Sequence, residues 1–277
     1  MADWRPMIKS RDNGFPRIMG IINVTPDSFF PDSRIIDLEV IVDRAISMSD
    51  NGADWIDIGG ESTRPGAKNI TIKEELKRVT KAVEAVREAL PDIGISIDTR
   101  KSEVAKEALI NGADLINDVS GLSDPKMKEI VADNKCPICI MHMKGLPGSM
   151  QEDPTYENVV NEVSNYLRET SNELLEIGVE PNAIINDPGI GFGKLINHNL
   201  ELLSSGRDIL PDNNMSIMWG VSRKKMFSDL LGRDETEDRL AGTLGVAAIA
   251  PSKGVDIIRV HDVAEHNDLY STMNALE

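Results

Sequence analysis

Asn51-Gly52-Ala53-Asp54-Trp55-Ile56-Asp57-Ile58-Gly59-Gly60 decides the fold, because the chain writes the same phrase twice more. Asn111-Gly112-Ala113-Asp114 runs into Leu115-Ile116-Asn117-Asp118-Val119, and Lys253-Gly254-Val255-Asp256 runs into Ile257-Ile258-Arg259-Val260-His261. Glycine accepts the left-handed backbone that ends a helix. A short apolar strand follows each time, and polar side chains gather at its far end. Helix, glycine stop, buried strand and polar rim are the units of a parallel barrel with its chemistry at the strand C-termini.

Working outward, eight such strands are counted. They are centred on Ile18-Met19-Gly20-Ile21-Ile22-Asn23, Trp55-Ile56-Asp57-Ile58, Ile95-Ser96-Ile97-Asp98, Leu115-Ile116-Asn117-Asp118 and Ile138-Cys139-Ile140-Met141-His142. The last three are Ala183-Ile184-Ile185-Asn186-Asp187, Ser216-Ile217-Met218-Trp219-Gly220 and Ile257-Ile258-Arg259-Val260-His261. Their nearly continuous Ile, Val and Leu suit strands covered on both faces. Between them, apolar residues recur at helical spacing over 38–49, 74–90, 104–110, 126–132, 159–177, 200–209, 239–250 and 263–273. Parallel strands joined by helices need crossovers, and eight of them close into a (β/α)8 TIM barrel. An open doubly wound sheet is the competing architecture. The 277 residues match one barrel, read as a single domain over 17–277 behind a polar extension, 1–16.

Charge narrows the partners. There are 46 acidic and 30 basic residues, a net charge of −16. Nucleic acid and anionic membranes select basic surfaces, so both are excluded as partners. No stretch approaches the length of a membrane span, and no secretory leader is expected. Cys136 and Cys139 form a CxxC, which a redox pair or half a zinc site would use. No second pair completes a metal site. The expectation is two buried thiols facing opposite sides of a strand, in a reducing cytoplasm.

The strand ends draw the candidate site. Asn23 ends the first strand; Asp57 and then Glu61-Ser62-Thr63-Arg64 end the second; Asp98-Thr99-Arg100 end the third. Asn117 and Asp118, His142, Asn186 and Asp187, Ser222-Arg223-Lys224, and Arg259 with His261 end the rest. Any one of these could cap a helix, as Thr99 or Ser102 could. Polar groups at all eight ends together read as a binding rim. Lys224, Arg259 and His261 are cationic or can become so, and they suit a phosphate after strands seven and eight, where 224–231 reads as a short extra helix. Asp98, Asn117 and Asp187 suit a planar heterocycle with several N–H donors. The long segments 25–34 and 59–67 read as lids.

These motifs resemble the dihydropteroate synthase family. The resemblance is carried by Met19-Gly20-Ile21-Ile22-Asn23-Val24-Thr25-Pro26-Asp27-Ser28-Phe29, Gly59-Gly60-Glu61-Ser62-Thr63-Arg64-Pro65-Gly66 and Ile97-Asp98-Thr99. It continues through Ile116-Asn117-Asp118, Met141-His142-Met143, Asp187-Pro188-Gly189-Ile190-Gly191-Phe192-Gly193-Lys194, Ser222-Arg223-Lys224 and Ile258-Arg259-Val260-His261-Asp262-Val263. The resemblance implies a transferase of folate biosynthesis. It would condense a dihydropterin methyl diphosphate with 4-aminobenzoate, release diphosphate, and use Mg2+. By that likeness Asp98, Asn117, Asp187 and Lys224 would hold the pterin. Asn23, Arg64, Arg259 and His261 would hold the diphosphate, with Asn23 also near the metal. Ser62, Thr63, Arg64, Pro65, Phe192 and Ser222 would shape the aminobenzoate pocket, where sulfonamides act. Asp98, Asp187, Lys224, Arg259 and His261 would carry the catalysis. A cytoplasmic homodimer built through the later helices is the family expectation. Phe30-Pro31-Asp32-Ser33-Arg34 departs from the Ser-Asp-Gly-Gly usual after Ser-Phe in the bacterial enzymes. A larger arylamine of the methanopterin type, or methyl transfer from a pterin to a corrinoid, are the alternatives on similar barrels. The second has no need of the basic sector.

Overall fold

The computed structural model describes residues 4–24, 38–62, 70–145, 150 and 154–276. Eight strands pair in parallel and in chain order to close a barrel: β1 (Arg17–Asn23), β2 (Trp55–Gly59), β3 (Gly94–Asp98), β4 (Leu115–Asp118), β5 (Ile138–Met141), β6 (Ile184–Asp187), β7 (Ser216–Trp219) and β8 (Ile257–Val260). The crossover helices are α1 (Leu38–Asp50), α2 (Ile72–Ala89), α3 (Ser102–Ile110), α4 (Lys126–Asn134), α5 (Val159–Glu176), α6 (Ile196–Ser205), α8 (Leu240–Ile249) and α9 (Val263–Leu276). The short extra helix after β7 is α7 (Met226–Leu231). The segment expected over 200–209 divides differently. The helix starts four residues earlier, at Ile196, and breaks at Gly206, whose φ is 52°, into a 3-10 turn over Gly206–Ile209.

The repeated phrase does one job three times. Gly52, Gly112 and Gly254 have φ of 93°, 108° and 66°. The next residue then reaches back across the helix end: Ala53 N–H to Met48 O at 3.0 Å, Ala113 to Ala108 at 2.9 Å, Val255 to Ala250 at 3.1 Å. This six-to-one closure satisfies carbonyls the helix leaves open. The aspartate that follows clamps the neighbouring strand. Asp54, Asp114 and Asp256 each accept the backbone N–H of the second residue of the preceding strand: Ile18 at 2.8 Å, Ile95 at 2.9 Å and Ile217 at 3.0 Å. Each also pairs with arginine: Asp54 with Arg11 and Arg17, Asp114 with Arg87, and Asp256 with Arg207. These clamps sit at the strand N-termini, so they fix the floor of the barrel.

Strand residues alternate between two cores. Ile56, Ile58, Ile95, Ile97, Ile116, Ile138, Ile140, Ile184, Ile217 and Ile258 face the helices. Met19, Trp55, Leu115, Cys139, Ile185, Met218 and Ile257 fill the interior, and Ile8, from the turn Arg5–Ile8, joins them. The Trp4 ring packs tilted against Trp55 with centroids 5.3 Å apart, and the Trp55 Nε1–H donates to Met7 O at 2.8 Å, so the segment ahead of β1 plugs the floor. Cys136 lies before β5 in the outer core and Cys139 lies in the inner one, both buried and free. Burial pushes both thiols up, Cys136 to about 12, which keeps them inert. No helix of the described residues is long and apolar enough to cross a membrane.

Because the floor and the rim are held by different residues, the Asp256→Ala protein is expected to lose about 3 kcal/mol of unfolding free energy in urea titration. The carboxylate removed is buried and pairs with Arg207. Anion binding at the rim should stay within about twofold of wild type.

Candidate active site

Alternation decides which rim residues point into the barrel. Asp57 pairs in register with Ser96, and Asp98 with Asn117, on adjacent strands. Asp57, Asp98, Asn117 and Asp187 share the inward parity of Trp55, Leu115 and Ile185, and all four are buried. Their neighbours Asp118 and Asn186 fall on the opposite face. Asp118 accepts from Ser120 N at 2.8 Å, Ser120 Oγ at 2.6 Å and Leu122 N at 2.9 Å, and so builds the turn after β4. Asn186 lies beside Ser171 Oγ at 3.4 Å in the helix layer. Of the two polar residues ending each of these strands, only one reaches the site.

Arg259 crosses the mouth from β8. Its Nε donates to Asp57 Oδ2 at 2.6 Å, and a terminal nitrogen donates to Asp98 Oδ2 at 2.7 Å. Asn117 Nδ2 lies 3.4 Å from the same Asp57 oxygen. The basic and acidic sectors expected to stand apart are therefore interlocked. The physical reason is desolvation: a largely desolvated guanidinium, 20% exposed, needs carboxylate partners, and two buried carboxylates need a cation. Burial drives Asp98 up to about 7, with Arg259 pulling the other way and Asp57 adding to the rise. Asp57 is the functional residue that sequence reasoning left without a role. Its parity with Trp55, two residues earlier, was the available signal.

Asp187, at the end of β6, accepts from Gly189 N through Oδ1 at 2.7 Å. Burial raises its pKa, opposed first by Lys224. Lys224 donates to Ile190 O and sits 4.4 Å from the centre of the Phe192 ring. Burial lowers Lys224 to about 8, with Asp187 pulling it back up. Asp187, Phe192 and Lys224 thus form one wall of the mouth.

Ser222 and His261 form the next. The His261 backbone N–H donates to Ser222 Oγ at 3.1 Å, and Ser222 Oγ lies 2.9 Å from His261 Nδ1. With one hydrogen and a second lone pair left after accepting from the backbone, the Ser222 hydroxyl serves either tautomer of the His261 ring. Burial, then Arg259, Arg223 and Arg44, lower His261 to about 4. The imidazole, read from the sequence as cationic or able to become so, is therefore neutral near pH 7. Arg223, left-handed at φ 56°, pairs with Asp262 through Nε at 2.9 Å and a terminal nitrogen, which ties the loops after β7 and β8 together.

Asn23 stands half-buried at the end of β1, beside Gly59 in register, and Ser62 is half-buried beyond β2. Thr63, Arg64 and Pro65 lie outside the described residues, as do 25–34 and 66–67. Asn23, Asp98, Asn117, Asp187, Phe192, Ser222, Lys224, Arg259 and His261 occur at one mouth of one closed cylinder. The description of a pterin-binding enzyme matches residues 19–261. The dihydropteroate synthase of Haemophilus influenzae is 41% identical over 267 residues, covering 96% of each chain. The chain belongs to the dihydropteroate synthase family. A solved structure of the Xanthomonas albilineans dihydropteroate synthase with 4-aminobenzoic acid superposes with a TM-score of 0.87 at 38% identity, covering 95% of this chain and 94% of that one. Another, in complex with 7,8-dihydropteroate, gives 0.84 at 33% identity, covering 96% and 95%. The fold of this chain is thus the barrel of that family; the eight-strand count indicated the barrel, and the rim motifs carried the resemblance to the family.

In this dihydropteroate synthase family member, His261 is neutral when folded and protonates near its ordinary value when unfolded. A histidine with a lowered folded pKa contributes stability that is present above about 6.5 and lost as pH falls toward 4. The His261→Gln protein should therefore lose less stability than wild type between pH 6.5 and 4. The slope of unfolding free energy against pH should correspond to about one proton fewer. Urea titrations across that range measure it.

Proposed function

We propose that this chain condenses 6-hydroxymethyl-7,8-dihydropterin diphosphate with 4-aminobenzoate, giving 7,8-dihydropteroate and diphosphate. The observation that carries the reading is the mouth itself. Buried carboxylates and an amide, Asp98, Asn117 and Asp187, stand against a basic wall of Lys224, Arg259 and His261. A pterin offers N–H donors along one edge, which carboxylates and an amide oxygen can accept. A diphosphate offers the negative charge that Arg259 and a protonating His261 would take.

The chemistry follows from charge. The bond between the pterin methylene carbon and the bridging oxygen breaks, and diphosphate leaves with the electron pair. The ring nitrogens delocalise the positive charge left on the methylene. Asp98 and Asp187, on the pterin side, stabilise that charge in a site poor in water. The amine nitrogen of 4-aminobenzoate then forms the new bond, and the proton it loses passes to the departing diphosphate or to water. An arylamine is already a nucleophile, so no strong base is needed. Ser222 and Phe192, with Ser62 and the 63–65 segment, would line the arylamine side. Lys224 stands between the two pockets through its contact with the Phe192 ring.

The residues present fit a magnesium ion carried in by substrate. Among the described residues no cluster of three His, Cys, Asp or Glu could cage a metal. Magnesium commonly binds through one or two protein oxygens, water and substrate phosphates. The Asn23 amide oxygen would be the protein donor here, and the ion would neutralise the departing diphosphate. Exposed Leu230 and Leu231 on α7 and Ile249 on α8 support the family's homodimer through the later helices. Two free buried cysteines accord with a cytoplasmic site of action.

In a coupled assay for diphosphate release, the reaction should need both substrates, and omission of 4-aminobenzoate should reduce release to background. Asp187→Asn should lower kcat/KM for the pterin substrate by about 10²-fold or more, the scale of a lost transition-state contact. Unchanged kcat/KM would remove Asp187 from the pterin site. Asn23→Ala should raise the Mg2+ concentration for half-maximal rate by about tenfold, on the scale of one lost ligand contact. An unaltered magnesium titration would exclude that ligand.

A further inference from the structure

The loop that runs from Asp187, at the end of β6, to Phe192 has one backbone hydrogen bond of its own, Phe192 N–H to Gly189 O at 3.0 Å. Gly189, Gly191 and Gly193 all take positive φ, of 67°, 81° and 60°. Three glycines in seven residues leave much conformational freedom to lose, so contacts from outside the loop add to that single bond in fixing it. Gly189 also shows how closely the loop is seated. A Cβ there would lie 1.8 Å from the His142 carbonyl oxygen.

Lys194 ends this loop, and its side chain turns back beneath it. The lysine is 4% exposed. Its Nζ lies 2.9 Å from His142 Nδ1, 3.0 Å from Gly189 O, 3.1 Å from Phe192 O and 3.3 Å from His142 O. An ammonium has three hydrogens. The three shorter contacts use them, and the His142 carbonyl adds charge–dipole attraction at longer range. His142 must then accept at Nδ1, which makes it a neutral Nε2–H imidazole, and burial with Lys194 beside it holds its pKa down to about 3. The ring is held in turn edge-on against Tyr166 at 4.9 Å.

Other contacts pin the same loop from other sides. Lys224 takes the Ile190 carbonyl, Asn199 Oδ1 accepts from Gly191 N at 2.8 Å, and Tyr156 Oη donates to Gly193 O at 2.8 Å. Lys194 differs from these in joining both ends of the functional stretch, the turn after Asp187 and the carbonyl of Phe192 itself. Burying an ammonium is costly, and its pKa falls to about 7 while the Asp187 charge resists the fall. A methionine of similar length would avoid that cost but could not gather three carbonyls.

We infer that Lys194 is a positioning residue for the condensation, a buried ammonium that sets the Asp187 carboxylate and the Phe192 ring in one geometry through the loop between them. The inference rests on Asp187 meeting the pterin and Phe192 lining the arylamine pocket, as proposed above. Lys194 touches neither substrate in this scheme. It acts by holding the carbonyls of Gly189 and Phe192 together against the end of β5. Its loss should be felt on the pterin and arylamine side, and not by the diphosphate, whose groups Arg259 and His261 stand on β8 and just after it.

The test compares two probes on the full-length chain by calorimetry with Mg2+ present: the dihydropterin diphosphate substrate without arylamine, and inorganic diphosphate. Lys194→Met should weaken the pterin substrate by about tenfold, the scale of a small misplacement, and raise KM for 4-aminobenzoate. Affinity for inorganic diphosphate should remain within about twofold. Equal weakening of both probes would mean general loosening and would overturn the inference, as would unchanged pterin affinity. If Lys194→Met does not fold, Lys194→Gln keeps one N–H donor for the Gly189 carbonyl and should fall between wild type and that expectation. Asp187→Asn separates the two readings. If it weakens the pterin while Lys194→Met does not, the positioning role fails and the site stands. If Asp187→Asn leaves pterin affinity intact, the route through Asp187 fails with the site.

Discussion

Arg259 is the constraint on which the mouth of this barrel depends. A guanidinium projecting into a closed cylinder of strands must have carboxylate partners, and Asp57 and Asp98 supply them from β2 and β3. The pairing works in both directions. Two inward carboxylates on adjacent strands would repel each other in a poorly solvated space, and the cation from β8 offsets that repulsion. The contact draws the closing strand of the barrel to its second and third across the opening. It also leaves Asp98 delicately balanced, raised to about 7 by burial while Arg259 pulls it down. Under the proposed function, an incoming ring with N–H donors and a diphosphate would meet groups already set against each other, and each substrate half would take over part of an existing charge pair.

The two ends of the cylinder divide the labour. At the floor, Asp54, Asp114 and Asp256 hold backbone N–H groups of the neighbouring strands, and arginines neutralise them. Trp4, Met7 and Ile8 seal that end against Trp55. At the rim, the same residue types leave acceptors and donors facing the mouth. Stability and chemistry thus reside in separate layers. That separation lets the rim loops carry glycine, positive φ and buried charge, as the segment after β6 and Arg223 do.

Much of this was legible in the residues. The repeated helix-stop phrase and the eight apolar runs gave the strands within a residue or two, because a buried parallel strand is nearly all Ile, Val and Leu. The rim residues were legible as a set, because eight polar strand ends together exceed what helix capping needs. Finer assignments were harder. Asp57 could be placed inward by period two, yet its service to Arg259 depends on a strand 202 residues away. Asp118 and Asn186 stood in the same row of strand-end residues as Asn117 and Asp187, and parity in the barrel shows why they carry no role at the mouth. Lys194 read only as the last letter of a motif, because its work is done on carbonyls that its own loop folds over it. His261 read as a cation or a group able to become one, and the burial and nearby arginines that keep it neutral come from three separate elements.

The most direct test of the central claim is a crystal structure of the protein with 6-hydroxymethyl-7,8-dihydropterin diphosphate. The account predicts the pterin edge on Asp98, Asn117 and Asp187, with the diphosphate beside Arg259 and His261, all within the one mouth. A pterin seated elsewhere, or a diphosphate bound away from β8 while Arg259 keeps both of its carboxylates, would contradict it.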